Sequence, residues 1–551
     1  MLPIIAVLAC AAVPLAAFAA YSGRSDLGPV VNRLLPWHKA VLDRDRKLLA
    51  WHRPGRNLGY DRVLRLGWDF VERRVPLDRK TRAKVYLVYP VIDERTFQGT
   101  YWQHNPAFLH ASFVESLVAW YPYSGDRKAI AAVRGMLDYQ LRYGTTPTGW
   151  KWPRVPFPTS CSGDRRYGRC FSGFPRRFYG GIEPDKVGLL GRGYLLFYEL
   201  TGERRYLRAA LDAGNALARH VRPGDATRTP WPFRVHARTG AVLDGAQYGG
   251  AVIGPVRLLD ELVRLRAGRV NAYRRARDLA WRWLLAHPLN RSSPAWNRWS
   301  GFYEDVAYNI RSRNQASPTL TADYLLSHPA PASIDPAWQK HAEEMLRWVR
   351  ASFGRGPFYG AWGIDEQRAP GRPGCCSPAG LGSDTARWAA MQAVLYERTG
   401  DPRAREQAVR SLNYATYFAR RDGLVACCGR RPANTYWFSD GYSDYLRHFN
   451  QAMAAIPELA PRDADHLLGS TSVVRYVTYG SKSVAYRTFR APAVEVLRLA
   501  SRPVRVTAGG RPLAERTELA GEGFVAERLA DGDYVVRVRH NTSRSVQIRR
   551  A

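Results

Sequence analysis

Between residues 186 and 221 two apolar-periodic segments follow one another with a tight turn between them. Leu190, Tyr194, Phe197 and Tyr198 space one face of a first helix, and Tyr206, Ala210 and Leu217 one face of a second. Thr201-Gly202-Glu203 supplies a helix stop and a restart, so the stretch predicts an antiparallel helical hairpin. The phrase returns at 117–141, around Ser124-Gly125-Asp126, and at 393–418, around Thr399-Gly400-Asp401. A repeated supersecondary unit says more about a fold than any single motif.

Segments 107–120, 187–200, 250–265, 319–326, 384–398 and 442–456 are apolar, several of them rich in small residues, and read as inner helices. Segments 127–143, 204–221, 271–287, 336–353 and 402–420 are amphipathic and more charged, as outer helices should be. Residues 21–100 read as a helical extension, clearest at 58–75, which supplies the outer helix that the last hairpin lacks. From about residue 470 short alternating stretches with Gly-Gly and Asp-Gly turns predict an antiparallel β-sandwich. The expected organisation is a leader or anchor at 1–20, the extension at 21–100, a ring of helical hairpins at 101–465 and a sandwich at 466–551. The class is mainly α.

A ring of hairpins has unequal ends: short turns inside hairpins at one, long connections between hairpins at the other. The long connections gather the aromatic, acidic and cysteine residues, and long loops on a compact domain usually carry function.

Composition narrows the picture. With 551 residues and 46% hydrophobic content, the chain can bury a large core. Its formal charge of +34 suits an anionic partner such as a uronic-acid glycan, but the arginines are scattered through the sequence. No zinc-finger, helix-turn-helix or RNA-recognition pattern accompanies them, which argues against nucleic acid. No P-loop, dinucleotide fingerprint or Gly-x-Ser-x-Gly elbow stands in a suitable setting. Residues 1–20 are apolar and Ala-rich, with Ala17-Phe18-Ala19 resembling a cleavage site, so the chain is expected to be exported to the periplasm or beyond. An uncleaved membrane tether is the alternative. Apart from Cys10 the cysteines are Cys161, Cys170, Cys375, Cys376, Cys427 and Cys428, an even set that suggests disulfides in an exported chain.

The repeated helix-TGD/TGE-helix units, the aromatic-acidic loops before inner helices and the C-terminal β-region resemble the six-hairpin (α/α)6 toroid superfamily of glycoside hydrolases, polysaccharide lyases and related epimerases. The resemblance spans 101–461 and singles out no one family. It implies a carbohydrate substrate. Some β-L-arabinofuranosidases of this fold hold zinc with a Glu and three cysteines. Cys375, Cys376, Cys427 and Cys428 with Glu366 offer such ligands here, but without a diagnostic spacing, and a disulfide between the two loops is the preferred reading. No other cofactor is expected.

Glycoside cleavage takes two carboxyl groups flanking the bond. The candidates are Glu183, Asp185, Glu304, Asp305 and Asp365, with helix capping by Asp185 and rim ion pairs of Glu304 and Asp305 as the plain alternatives. Lyase or uronate C5-epimerase chemistry needs a Tyr or His base and a group that neutralises the uronate. His104 with Asn105, or Tyr248 with Arg234 and His236, fits those parts. Tyr101, Trp102, His104, Asn105, Tyr248, Asn309, Asn314, Trp362, Trp437 and Asp440 are the expected substrate contacts. A third reading is a non-catalytic glycan-binding envelope protein.

Overall fold

The computed structural model describes residues 27–52, 57–89, 91–100, 103, 105–159, 178–244, 249, 252–300, 313–368, 379–425 and 442–551. Helix α1 (Leu58–Asp69) precedes five hairpins: α2 (Pro106–Ser124) with α3 (Lys128–Tyr143), α4 (Pro184–Thr201) with α5 (Arg204–His220), α6 (Ile253–Arg264) with α7 (Val270–Ala286), α8 (Ala316–Ser327) with α9 (Trp338–Phe353), and α10 (Gly382–Thr399) with α11 (Pro402–Thr416). Helix α12 (Leu446–Ala455) follows. The even-numbered helices touch in sequence, α2 to α4, α4 to α6, and onward to α12, which returns to α2. This closes an inner ring. The odd-numbered helices stand outside it, and α1 lies against α11 and α12, in the outer position of the sixth pair. The molecule is an (α/α)6 toroid.

Burial explains which helix goes where. Every residue of α8 from Ala316 to Leu326 is buried, so its apolar and small side chains have no face for solvent. In α5 only Tyr206, Ala210, Ala213, Gly214, Ala216 and Leu217 are buried, one stripe on an otherwise charged helix. The turns follow from glycine: Gly125, Gly202 and Gly400 each take φ between 70° and 80° at a helix C-cap. A different glycine contact draws α4 onto α6. A methyl on Gly188 would lie 2.2 Å from Pro255 N, and one on Gly254 2.4 Å from Asp185 O.

One correction concerns the N-terminal region. The segment expected to be helical from residue 21 begins with an antiparallel hairpin, Leu27–Leu34 against Lys39–Asp43, before α1 starts. The hairpin packs on α11 through Val41 N, which donates to Tyr417 Oη at 2.9 Å. The turn end of the toroid is covered. The C-terminal strands form a four-stranded sheet (His466–Ser470, Ala493–Leu499, Tyr534–His540, Gly523–Arg528) and a five-stranded sheet (Val474–Gly480, Ser483–Thr488, Ser545–Arg550, Pro503–Ala508, Arg511–Pro512), all pairs antiparallel. This sandwich docks on the turn end: Tyr479 Oη donates to Pro122 O, the His466 ring stacks on Tyr123 at 4.1 Å, and Arg475 Nε reaches Leu200 O at 3.3 Å.

Candidate functional site

The N-terminal ends of the inner helices point to the end that carries the long connections, and buried polar side chains crowd there. At the start of α4, Glu183 occupies the N-cap position without capping through its side chain, and Pro184 opens the first turn. Glu183 and Lys186 are fully buried, and Asp185 is 1% exposed. Arg234 Nε, from the strand Arg234–His236 that pairs with Gly181–Ile182, lies 2.7 Å from Glu183 Oε1. Lys186 Nζ lies 2.7 Å from Asp185 Oδ2 and 3.6 Å from Glu183 Oε2, so one ammonium serves both carboxylates. Asp185 therefore does not cap α4 but joins an ion cluster. Burial raises its pKa, Lys186 opposes the rise, and Glu183 adds to it. Asp185 Oδ1 accepts no hydrogen bond among the described residues.

Across the ring, on α10, stands a carboxyl that the sequence reading had not singled out. Asp384 is fully buried, with Arg387 Nη1 3.1 Å from its Oδ1. Burial pushes its pKa up to about 7, with Arg387 opposing and the nearby Asp444 and Asp365 adding to the rise. Neither of its oxygens accepts a well-formed hydrogen bond among the described residues. Helices α4 and α10 are three places apart in the six-membered inner ring, so Asp185 and Asp384 stand on opposite walls. One signal pointed to Asp384: like Asp185 it lies in the first turn of a helix that ends in a Thr-Gly-acidic turn.

Asp365 lies close to Asp384 and is held by Arg355, whose Nε and Nη2 lie 3.0 and 2.5 Å from Oδ2. Asn314 Oδ1 accepts from Ser317 N at 3.0 Å and so caps the start of α8. Asn105 is buried in the left-handed conformation, φ 38°, at the N-cap of α2. Trp362 stands apart from these: Arg350 of α9 lies 5.8 Å from its ring centroid, and its backbone N–H donates to Ser411 Oγ of α11, both on outer helices. Glu304, Asp305, Tyr101, Trp102, His104, Tyr248, Asn309, Trp437, Asp440 and the cysteines Cys161, Cys170, Cys375, Cys376, Cys427 and Cys428 fall outside the described residues. Among the described residues no cluster of His, Cys, Asp and Glu is arranged to hold a metal ion.

Two imidazoles complete this end. His110 on α2 and His448 on α12 are buried on neighbouring inner helices; the ring nitrogens of His110 make no hydrogen bond among the described residues, and His448 Nε2 lies 3.4 Å from Asp444 Oδ1. Burial lowers both pKa values, that of His110 to about 3, so both rings are neutral.

Below this end a chain of charges crosses the axis, and each inner helix contributes one link. Arg387 of α10 pairs with Asp444, just before α12; Asp444 Oδ1 lies 2.7 Å from Arg447 Nη2 of α12; and Arg447 pairs with Glu115 of α2. Glu115 also takes Arg192 of α4, and Arg257 of α6 at 3.0 Å, while Arg257 reaches Asp323 of α8 at 3.4 Å. Burial alone would raise the Glu115 pKa, but the three guanidiniums outweigh it and hold the carboxyl down to about 2.

No protein-family model matches the chain, and no curated protein resembles it at a significant level. Solved structures do resemble it. A sugar epimerase from a ruminal bacterium is 8% identical with a TM-score of 0.50, covering 72% of this chain and 98% of that one. A D-mannose isomerase is 11% identical with a TM-score of 0.51, covering 74% and 99%. The cellobiose 2-epimerase from Bacillus thermoamylovorans B4167 is 8% identical with a TM-score of 0.51, covering 71% and 98%. At these identities the likeness establishes architecture, and that architecture is the six-hairpin (α/α)6 toroid.

Proposed function

We propose that the chain is a carbohydrate-active enzyme and that its reaction takes place at the loop-bearing end of the toroid, by proton transfer through buried carboxyl groups. The observation that carries this reading is Asp384, a carboxyl poised at about 7 opposite the Glu183–Asp185 cluster. A group with that pKa is half protonated at neutral pH and serves as a general acid. A glycosidic oxygen protonated by Asp384, with a water activated from the opposite wall by Asp185, gives hydrolysis with the two groups on opposite faces of the sugar. Glu183 and Lys186 tune Asp185. Asp365 and Arg387 tune Asp384.

The same proposal includes export, supported by the leader-like residues 1–20, and an anionic glycan as substrate, supported by the net charge of +34. The structural neighbours at TM-scores of 0.50 and 0.51 are a sugar epimerase, a mannose isomerase and a cellobiose epimerase, which supports sugar as the substrate class.

A second reading is sugar epimerisation. The neutral, buried His110 and His448 favour it, because a neutral imidazole can accept the proton that such a reaction removes from carbon. Incubation with a glycan panel in D2O separates the two. Hydrolysis releases new reducing ends without carbon-bound deuterium, whereas epimerisation places deuterium on a ring carbon without chain cleavage. Asp384→Asn is expected to lower kcat by about 10²–10⁴-fold, the usual worth of a general acid. A fully active Asp384→Asn variant would remove Asp384 from the reaction.

A further inference from the structure

The outer face of the five-stranded sheet carries charge of one sign. Its strands contain Arg475, Arg487, Arg505, Arg511, Arg549 and Arg550 but no Asp or Glu. Val484, Tyr486, Val546 and Ile548 are buried inside the sandwich, so Arg487, Gln547 and Arg549, which alternate with them, project outward. Across the strands Tyr476, 42% exposed, is the partner of Arg487, and Arg505 is the partner of Arg549.

Half of these arginines are engaged within the protein. Arg475 reaches Leu200 O, Arg550 pairs with Asp465 at 2.8 Å, and Arg511 donates to Thr542 Oγ1 at 2.8 Å. Arg487, Arg505 and Arg549 are exposed, and among the described residues their side chains make no ion pair and no hydrogen bond.

Setting Arg505 directly opposite Arg549 costs stability, because like charges at facing positions of an antiparallel pair repel. Protection of a sheet edge does not account for it, since Ser545–Arg550 is the middle strand of the five. Nor does the arginine content of the chain, since the other sheet neutralises its arginines. There Arg498 lies 2.6 Å from Asp531 and 2.8 Å from Asp533, and Arg537 lies 4.0 Å from Glu527. An anion lying across the five-stranded face offsets the repulsion. Arg487 faces Ser545 in the register, four residues along the strand from Arg549, so the two cationic rows stand about 14 Å apart. One small anion cannot reach both; an extended polyanion can.

We propose that this face binds an acidic polysaccharide, with a run of carboxylated sugars laid across the strands. The carboxylates meet Arg487, Arg505 and Arg549, the exposed Gln547 and Thr478 between the two rows meet hydroxyls, and the Tyr476 ring offers a flat apolar surface to a pyranose. The choice of a glycan among polyanions rests on the carbohydrate-enzyme reading above. The sandwich docks on the turn end, so the face holds the polymer away from Asp384 and retains the protein on an acidic matrix rather than positioning the bond to be broken.

Calorimetric titration of the full chain with polygalacturonate, with a neutral mannan as comparison, tests this. Polygalacturonate is expected to bind and mannan to bind at least about tenfold more weakly. The combined variant Arg487→Gln, Arg505→Gln, Arg549→Gln is expected to weaken polygalacturonate at least about tenfold and to lower the dependence of log K on log salt by about two. A second combined variant, Arg208→Gln, Arg275→Gln, Arg282→Gln, removes the same charge from exposed positions of α5 and α7 and should change the affinity less than about twofold. The proposal falls if wild type gives no binding, if mannan binds as well, if the two combined variants weaken binding equally, or if single-stranded DNA or phosphatidylserine vesicles bind through the face as tightly as polygalacturonate. Failure of the catalytic reading is a separate result: a chain inactive on every glycan that still binds polygalacturonate through these arginines retains the site, and an active chain whose binding survives their replacement does not.

Discussion

Glu115 and Asp384 are both buried carboxyls beside arginines, yet their proton affinities move in opposite directions. Three guanidiniums converge on Glu115, whereas Asp384 has one arginine and two further carboxylates. The number of neighbouring charges of each sign decides which effect wins over desolvation. This sets a pH profile. Glu115 is lowered from 4.5 to about 2, so its stabilisation is present above its unfolded pKa and is lost as pH falls from about 4.5 through 2. Asp384 is raised from 3.8 to about 7, so the folded state holds a proton that the unfolded state has released, and stability declines as pH rises between those values. Asp185 and Glu199 are also raised and add to that decline. Thermal unfolding across pH should therefore show a maximum at about pH 4–5. Asp384→Asn should flatten the neutral side alone. At this scale the sequence was a partial guide. It marked Glu183, Asp185 and Asp365 as acidic residues in long loops, but a pKa depends on which charges the ring brings within a few ångströms, as with Asp384 and Asp444, 60 positions apart in the chain.

The hairpins could be read one by one because their signals are local. Thr-Gly-acidic turns need a left-handed glycine, and the structure has it at Gly125, Gly202 and Gly400. The contact between hairpins leaves no local pattern. Gly188 and Gly254 let α4 and α6 cross at backbone distance, and that crossing sets Asp185 against the start of α6. Gly188→Ala must push the two helices apart, since Cβ would meet the backbone of Gly254 at 2.3 Å rather than a flexible side chain. The expected cost is about 1–3 kcal/mol, seen as a lower denaturation midpoint, together with lower activity because Asp185 moves with its helix. The N-terminal strands were missed for a related reason: Leu27–Leu34 and Lys39–Asp43 pair with each other but are held by α11, far along the chain. Nothing near them in sequence announces that support.

The toroid is closed on its axis by charge as well as by apolar packing. Glu115 is the common acceptor for Arg192, Arg257 and Arg447, which come from three different inner helices. Glu115→Gln leaves those guanidiniums buried without their shared counter-charge, and the expected loss is about 3–5 kcal/mol, measured by denaturant unfolding. Replacing Arg447 by Met in the same background should return part of it, since removing both partners of a buried pair costs less than removing one. The sandwich acts at the same scale: it docks on the turn end, and a cavity of about 370 Å³ lies between it and the inner helices.

The sequence by itself determined the helical hairpins, their inner and outer sorting, the change to strands near residue 470 and the end of the ring where the long connections gather. Each of these rests on periodicity, turn chemistry or composition, which are properties of neighbouring residues. Only the tertiary structure decided that Asp384 and Asp185 stand on opposite walls, that six inner helices share one charge network, and that a cavity lies between toroid and sandwich. Those are juxtapositions of residues tens to hundreds of positions apart, produced by ring closure, and proton affinity and cavity shape follow from the distances that closure sets.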